Sequence, residues 1–176
     1  TSVLGGMDTI EVDLNYMFRV PLWPPSVIDS RPVGTWKATS VHVVDIHELA
    51  AGKLAALLSR KQARDLFDSR EFLHSDLLTN SRLREAFVVY GAMNRKDWRT
   101  VSTADLTLDP TDVSRRLMPT LHRRTDSVAA SPEDYGNQLL NDCRQALSKV
   151  LPFSDNELAF LNLLLERGKI DPSLLT

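Results

Sequence analysis

The stretch IHELAAGKLAALLSR, which runs from Ile46 to Arg60, decides how this chain folds. It consists largely of good helix formers, and Asp45 and Glu48 stand at the spacing of a capping box at its start. These features predict a helix that begins after Asp45 and ends at about Arg60. A second helix is predicted over 63–73, and because the connection between them is short, we expect the two helices to form an antiparallel hairpin.

The segment before this hairpin carries strand patterns. Residues 10–17, IEVDLNYM, alternate between two sides, which predicts a half-buried strand with acidic side chains on its open face. The proline-rich segment 21–32 is typical of a loop, and 39–44 predicts a second short strand.

Four further helix patterns follow the hairpin, over 80–92, 111–121, 132–150 and from Ser154 to Gly168. The chain lacks the regular alternation of strands and helices that a doubly wound fold requires. We therefore predict an α+β fold that is mainly α, with a small sheet in residues 1–45 and a helical domain in residues 46–176.

Composition excludes several classes of protein. The formal net charge of -2 gives no bulk attraction to nucleic acid or to an anionic membrane. Cys143 is the single cysteine, which excludes an internal disulfide framework and a cysteine-based zinc site. The sequence contains no apolar run long enough for a membrane span, so we expect a cytoplasmic protein without a membrane partner.

Lys53 is the first candidate for function, because it falls within the apolar face that Leu49, Ala50, Leu54 and Leu57 form on a helical wheel. Burial of an unpaired ammonium costs several kcal/mol. Lys53 must therefore reach solvent along its stem, pair with a carboxylate, or face a cavity that binds an anion. A snorkelling lysine or a structural ion pair explains the pattern as well as a ligand site does.

The second candidate is the segment around Asp65 and Asp68, which share one face of the second predicted helix and lie close in sequence to Arg60 and Arg64. A solvated helix face with local ion pairs is the plainer interpretation of this charge pattern. The antiparallel hairpin favours a functional one, since it would bring the carboxylates to Lys53.

Asp13 is the third candidate, on the open face of the first predicted strand. A carboxylate beside a cluster of cations is a common way to hold a divalent metal for phosphoryl transfer. An ordinary exposed strand acid fits the alternation equally well.

The run VVDIHELAAGKLAALLSRKQARDLFDSREFL, residues 43–73, resembles the signature of the AbiEii/AbiGii nucleotidyltransferase toxins. In that family a strand leads into a helix with a lysine and then an arginine, followed by a helix with an Arg-Asp-x-x-Asp motif. Residues 10–23 resemble the strand and loop before the signature, and residues 151–175 resemble the family's closing helix.

The resemblance implies a polymerase-beta-like fold, of which residues 1–45 would be an incomplete sheet edge, short and antiparallel or mixed. It implies transfer of a nucleotide from a nucleoside triphosphate, with Mg²⁺ or Mn²⁺, to an acceptor such as tRNA. Lys53 would contact the triphosphate and Asp65 would complete the active site. Asp13 would be the metal-binding carboxylate, and the supporting residues would be Asp68, Arg60 and Arg64.

The chain departs from the family pattern in one respect. The glycine-serine turn and the metal-binding Asp-x-Asp pair of such enzymes have no counterpart before Asp13. We therefore expect Thr1 to lie inside a longer natural sequence that supplies them.

Two other functions remain open. The first is a non-catalytic helical module that binds a partner protein such as an antitoxin. The second is an RNA-binding helical domain that would use Arg60, Lys61, Arg64, Arg70, Arg95, Lys96 and Arg99.

Overall fold

The computed structural model of the protein describes residues 20–121 and 131–175. Strands β1 (Ser26–Ile28) and β2 (Val41–Val43) pair antiparallel, with Val27 opposite His42. The strand predicted over 39–44 is confirmed by β2. The loop predicted over 21–32 is wrong for its middle, because β1, whose Val27 and Ile28 are β-branched, lies between Pro25 and Pro32 and pairs with β2.

Helix follows for most of the remaining described chain. The helices are α1 (Ile46–Arg60), α2 (Ala63–Leu73), α3 (Asn80–Ala92), the single turn α4 (Pro110–Asp112), α5 (Pro132–Leu147) and α6 (Asp155–Arg167). The predicted α+β, mainly α fold is confirmed. The first three predicted helices match closely, and the last ends at Gly168 in the left-handed conformation, as its sequence predicts.

The single regular helix predicted over 111–121 is wrong, because the chain there forms three short turns of different kinds. After α4 the chain makes a π turn over Val113–Leu117 and a 3-10 turn over Met118–Thr120. Pro119 lacks the N–H that a regular α-helix would need at this point, so the helix changes its hydrogen bonding instead of continuing. Helix α5 likewise stops at Leu147, a few residues before the predicted end.

Helix α1 is the centre of the fold. Asp45 caps it by accepting the His47 N–H at 2.8 Å, and Lys61 ends it in the left-handed conformation with φ 56°. Its buried side chains face α2 and α3: Ala50, Ala51, Leu54, Ala55, Leu57 and Leu58. The predicted hairpin is confirmed, and α3 runs parallel to α1, because His47 meets Thr79 at one end and Ser59 meets Asn94 at the other.

The far end of α3 is held by Trp98, which is fully buried with its ring centroid 5.2 Å from that of Phe87. A Cβ atom on Gly91 would lie 1.8 Å from the Trp98 Nε1, so only glycine leaves room for the indole. This packing fixes where α3 ends beside α1. No helix in the part of the chain that the structure describes is long and apolar enough to cross a membrane.

Candidate functional site

The hairpin of α1 and α2 joins the predicted cations and carboxylates in two ion pairs. The Lys53 Nζ donates to the Asp68 Oδ2 at 2.6 Å, and the Arg60 Nη2 donates to the Asp65 Oδ1 at 2.8 Å. Arg60 and Asp65 lie next to the turn between the helices, and Lys53 and Asp68 lie farther from it. This is the pairing expected of antiparallel helices. Lys53, Arg60, Asp65 and Asp68 therefore lie along one seam, which we call the charged seam.

Lys53 lies at the edge of the apolar face rather than within it. Its side chain is 43% exposed, and Leu49 on the same side of α1 is exposed as well. The prediction of a lysine on a buried face is wrong, because α2 and α3 cover the side of α1 that holds Ala50, Leu54 and Leu57. Lys53 thus pairs with a carboxylate and keeps N–H donors free toward solvent.

Asp65 is the most enclosed member of the charged seam, with 5% of its side chain exposed. Its Oδ1 accepts from Arg60, while its Oδ2 is buried and has no hydrogen-bond partner among the described residues. One turn further along α2, the Ser69 hydroxyl is also buried without such a partner. Buried oxygens without donors are costly, which marks this position as one where packing alone does not explain the residue.

Two other predicted site residues are not brought into the charged seam. Arg64 is exposed on α2 and makes no hydrogen bond or ion pair within 20–121 and 131–175. Asp13, with the strand predicted over 10–17, lies outside the described residues. Their roles stay predictions.

Several cations of the RNA-binding set that the sequence offers form ion pairs with carboxylates of the same chain. Arg70 pairs with Asp142, Lys96 pairs with Asp105, and Arg99 pairs with Asp97 and Glu166. Ion pairs of this kind reduce the positive charge that the surface could offer to phosphates.

An open groove of about 590 Å³ lies between α1 and α3, next to the charged seam. We call it the α1–α3 groove. Helix α1 lines it with Glu48, Gly52, Lys53, Ala56 and Arg60, and α3 and the following residues add Tyr90, Met93 and Asn94. Two members of the charged seam, Lys53 and Arg60, thus also border an open space.

Glu48 is a residue of the site region that the sequence analysis interpreted only as part of a helix cap. Its carboxylate does not reach back to the start of α1; it accepts the backbone N–H groups of Leu22 and Trp23 at 2.9 Å and 3.2 Å. It also accepts the Tyr90 hydroxyl at 2.9 Å. Burial and this hydrogen bond to a carboxylate raise the pKa of Tyr90 above its usual value. The capping-box spacing hid this role, since both roles place an acid in the first turn.

The fit of a divalent metal depends on residues beyond the charged seam. Carboxylate oxygens are the ligands that Mg²⁺ and Mn²⁺ prefer, but Asp65 and Asp68 each already bind a cation. Within the described ranges, no group of three or more His, Cys, Asp or Glu side chains is arranged to hold a metal ion. These residues do not form a metal site by themselves, so the predicted site rests on Asp13.

The fold and the charged seam define a mainly helical module in which two cations of the seam, Lys53 and Arg60, border an open groove. The sequence model of the AbiEii family, described as a nucleotidyl transferase toxin of a type IV toxin–antitoxin system, matches residues 1–156. The chain belongs to this family, which confirms the resemblance and implies a nucleoside triphosphate substrate and an antitoxin partner. Searches of curated proteins and of solved structures found no match.

Proposed function

We propose that this protein is a nucleotidyltransferase that moves a nucleotide from a nucleoside triphosphate to an acceptor such as tRNA. The observation that carries the proposal is the charged seam at the edge of the α1–α3 groove. Lys53 would contact the triphosphate and Asp65 would complete the active site, with Arg60, Arg64 and Asp68 in support. The carboxylate of Asp13 would hold Mg²⁺ or Mn²⁺. The division into residues 1–45 and 46–176 and a cytoplasmic location belong to the same proposal.

The donors left in the charged seam support a phosphate contact. A lysine ammonium has three N–H donors and an arginine guanidinium has five, and Lys53 and Arg60 each use one on a seam carboxylate. The remaining donors can reach an anion in the open groove. Phosphate oxygens are suitable acceptors, because hydrogen bonds between charged partners are about twice as strong as neutral ones.

Asp65 is the group that we propose receives the proton of the acceptor. In nucleotidyl transfer, the acceptor hydroxyl oxygen bonds to the α-phosphorus, the bond from that phosphorus to the pyrophosphate breaks, and the hydroxyl proton passes to a base. Oδ1 of Asp65 is held by Arg60, and Oδ2 has no donor among the described residues. Transfer of that proton requires the acceptor hydroxyl to reach Oδ2, which the described residues enclose.

The test is nucleotide binding by isothermal titration calorimetry with ATP, GTP, CTP and UTP in the presence of Mg²⁺. Lys53→Ala should weaken binding about tenfold or more, since it removes a hydrogen bond to a charged group worth ~1.5–3 kcal/mol. It also leaves Asp68 without its cation, which repels the phosphates further.

Lys37→Ala is the matched control, because Lys37 forms a similarly exposed ion pair with Asp29 at 2.8 Å on the connection between β1 and β2. It should bind nucleotide as the wild type does. A wild-type protein that binds none of the four nucleotides would overturn the proposal and favour the non-catalytic partner-binding module instead.

A further inference from the structure

The connection between β1 and β2, residues 29–40, forms an arm in which every residue is exposed. We call it the β arm. Near its tip, Val33 and Trp36 exchange two backbone hydrogen bonds of 2.9 Å and 3.1 Å. Closer to the strands, the Ser30 N–H donates to the Ala38 carbonyl at 2.8 Å. These bonds continue the pairing of the two strands outward, so the β arm has a defined conformation and presents the same side chains to solvent.

Trp36 on the β arm is exposed in a way that packing does not explain. Of the three tryptophans of the chain, Trp98 is fully buried and Trp23 packs edge to face on the ring of His47. The Trp36 side chain is 82% exposed. An indole left in water gives up most of the hydrophobic stabilisation that its large apolar surface offers. Trp36 is therefore a candidate for contact with another molecule.

A free cation lies beside this indole. Arg31 and Trp36 border one open cleft of about 360 Å³, which Ser30, Val33, Lys37 and Ala38 complete. Within residues 20–121 and 131–175, the Arg31 guanidinium makes no hydrogen bond or ion pair. Lys37 is different, because its ammonium is paired with Asp29 at 2.8 Å. The cleft thus combines an unpaired guanidinium with an uncovered aromatic ring.

The β arm is joined to the site region. Strand β2 ends at Val43, and the next residue, Val44, lines one end of the α1–α3 groove together with Glu48. Lys53 and Arg60 line the same groove farther along α1. A macromolecule held on the β arm would therefore lie beside the groove that the charged seam borders.

We propose that the β arm binds single-stranded RNA, with an unpaired base stacked on the Trp36 indole and a backbone phosphate bound by the Arg31 guanidinium. This inference rests on the proposed function, to which it adds a surface for the RNA acceptor. Every base has a flat face, so an exposed aromatic ring holds single-stranded RNA with little dependence on sequence. Each nucleotide also carries a phosphate, which complements a free guanidinium. RNA supplies both partners in one repeating unit, whereas an apolar protein surface supplies no anion for Arg31.

The test measures binding of a fluorescein-labelled single-stranded oligoadenylate by fluorescence anisotropy over a series of salt concentrations. Trp36→Ala should weaken binding about tenfold, since it removes the stacking of one base, and should leave the salt dependence unchanged. Trp36→Phe keeps a flat ring and should retain most of the affinity. Arg31→Ala should lower the slope of log K against log salt concentration by about 0.7, the value for one phosphate contact on a single strand.

Two matched controls change exposed side chains away from the β arm. Leu77→Ala removes an apolar side chain that is 71% exposed, and Arg167→Ala removes an exposed arginine at the end of α6. Neither change should alter the RNA affinity or its salt dependence. Because all of the substituted side chains are exposed, every variant should keep the circular dichroism spectrum and the melting temperature of the wild type.

The outcomes separate this inference from the proposed function. A wild-type protein that binds no RNA, or a Trp36→Ala variant with wild-type RNA affinity, would overturn the assignment of the β arm. So would equal losses in the alanine and phenylalanine variants, because a stacking ring would then not be what counts. Dimers in analytical ultracentrifugation that Trp36→Ala abolishes would assign the β arm to a second copy of the chain. The nucleotide titration of the wild type decides the proposed function by itself: RNA binding that depends on Trp36, without any nucleotide binding, would overturn that function and leave the RNA contact standing.

Discussion

Two buried carboxylates near the α1–α3 groove, Glu48 and Asp65, differ in whether their oxygens are fully hydrogen-bonded. Glu48 is buried without a cation among the described residues, yet three donors satisfy its carboxylate. Asp65 is comparably buried and has a cation, yet one of its oxygens has no described donor. Glu48 therefore has a structural role as a hydrogen-bond acceptor, whereas Asp65 can accept a further hydrogen bond.

The protonation of Tyr90 makes the stability of the fold depend on pH. Near pH 8 the tyrosine is neutral in both the folded and the unfolded chain. Above its ordinary pKa of about 10, the unfolded chain loses the proton while folded Tyr90 keeps it, because burial and Glu48 raise the folded pKa. The unfolded state is thus favoured as pH rises, and we expect the free energy of unfolding to fall between pH 9 and pH 11.

Urea unfolding followed by tryptophan fluorescence measures this effect. Tyr90→Phe should lower the free energy of unfolding at pH 8 by about 1 kcal/mol, since Glu48 loses one donor. Between pH 9 and pH 11, the free energy of unfolding of this variant should fall by less than that of the wild type. If the free energy of unfolding fell equally in the two proteins, loss of the Tyr90 proton would not explain the pH dependence.

At the scale of the elements, helices with strong end signals were predictable from sequence. Asp45, Ser131 and Ser154 each accept a backbone N–H in the first turn of the helix that they precede. The segment 110–120 was not predictable in the same way, because Pro119 breaks a pattern whose apolar spacing is helical. Strand β1 was missed because its three residues form a strand only by pairing with β2.

The proximity of the residues in the charged seam was predictable from the sequence. How far each of their side chains is buried was not. Sequence spacing and the hairpin brought Lys53 to Asp68 and Arg60 to Asp65. A helical wheel shows which residues share a face, but it does not show where the neighbouring helices lie. The position of α3 along α1 decides that Lys53 borders an open groove, and that position depends on distant packing such as Trp98 against Gly91.

The turn between α1 and α2 contains a residue in an unfavourable backbone conformation. Lys61 is a non-glycine residue with a positive φ of 56°, a conformation that costs a residue with a Cβ roughly 1 kcal/mol. Lys61→Gly should therefore be more stable than Lys61→Ala by about 1 kcal/mol in guanidinium unfolding. Both variants lose the same charge, so the comparison isolates the backbone. An alanine variant at least as stable as the glycine variant would contradict this account of the turn.

At the scale of the whole molecule, residues 20–45 are joined to the helices by a small set of contacts. The Leu22 and Trp23 amides bind Glu48, the Trp23 ring meets His47 edge to face, and the Arg82 guanidinium lies 5.2 Å from the centre of the Trp23 ring. Beyond this point β1 and β2 form a two-stranded sheet whose Trp36 is 82% exposed. An isolated two-stranded sheet is marginally stable, so its placement depends on the contacts at Glu48.

Removal of the Glu48 carboxylate should release this segment from the helical part. Glu48→Ala leaves two backbone N–H groups and the Tyr90 hydroxyl without their acceptor, which costs about 1–3 kcal/mol for each fully buried group. In hydrogen exchange followed by mass spectrometry, peptides that span residues 20–25 should exchange at least tenfold faster. Peptides from α5 and α6 should keep their protection, because their hydrogen bonds do not involve Glu48.

Asp29→Ala is the control for this experiment, since Asp29 also accepts a backbone N–H, that of Ser40, but within the sheet segment itself. It should speed exchange around residue 40 and leave residues 20–25 protected. If Glu48→Ala instead raised exchange equally throughout the chain, Glu48 would be a general determinant of stability. Faster exchange confined to residues 20–25 would establish Glu48 as the contact that positions residues 20–45 against α1 and α3.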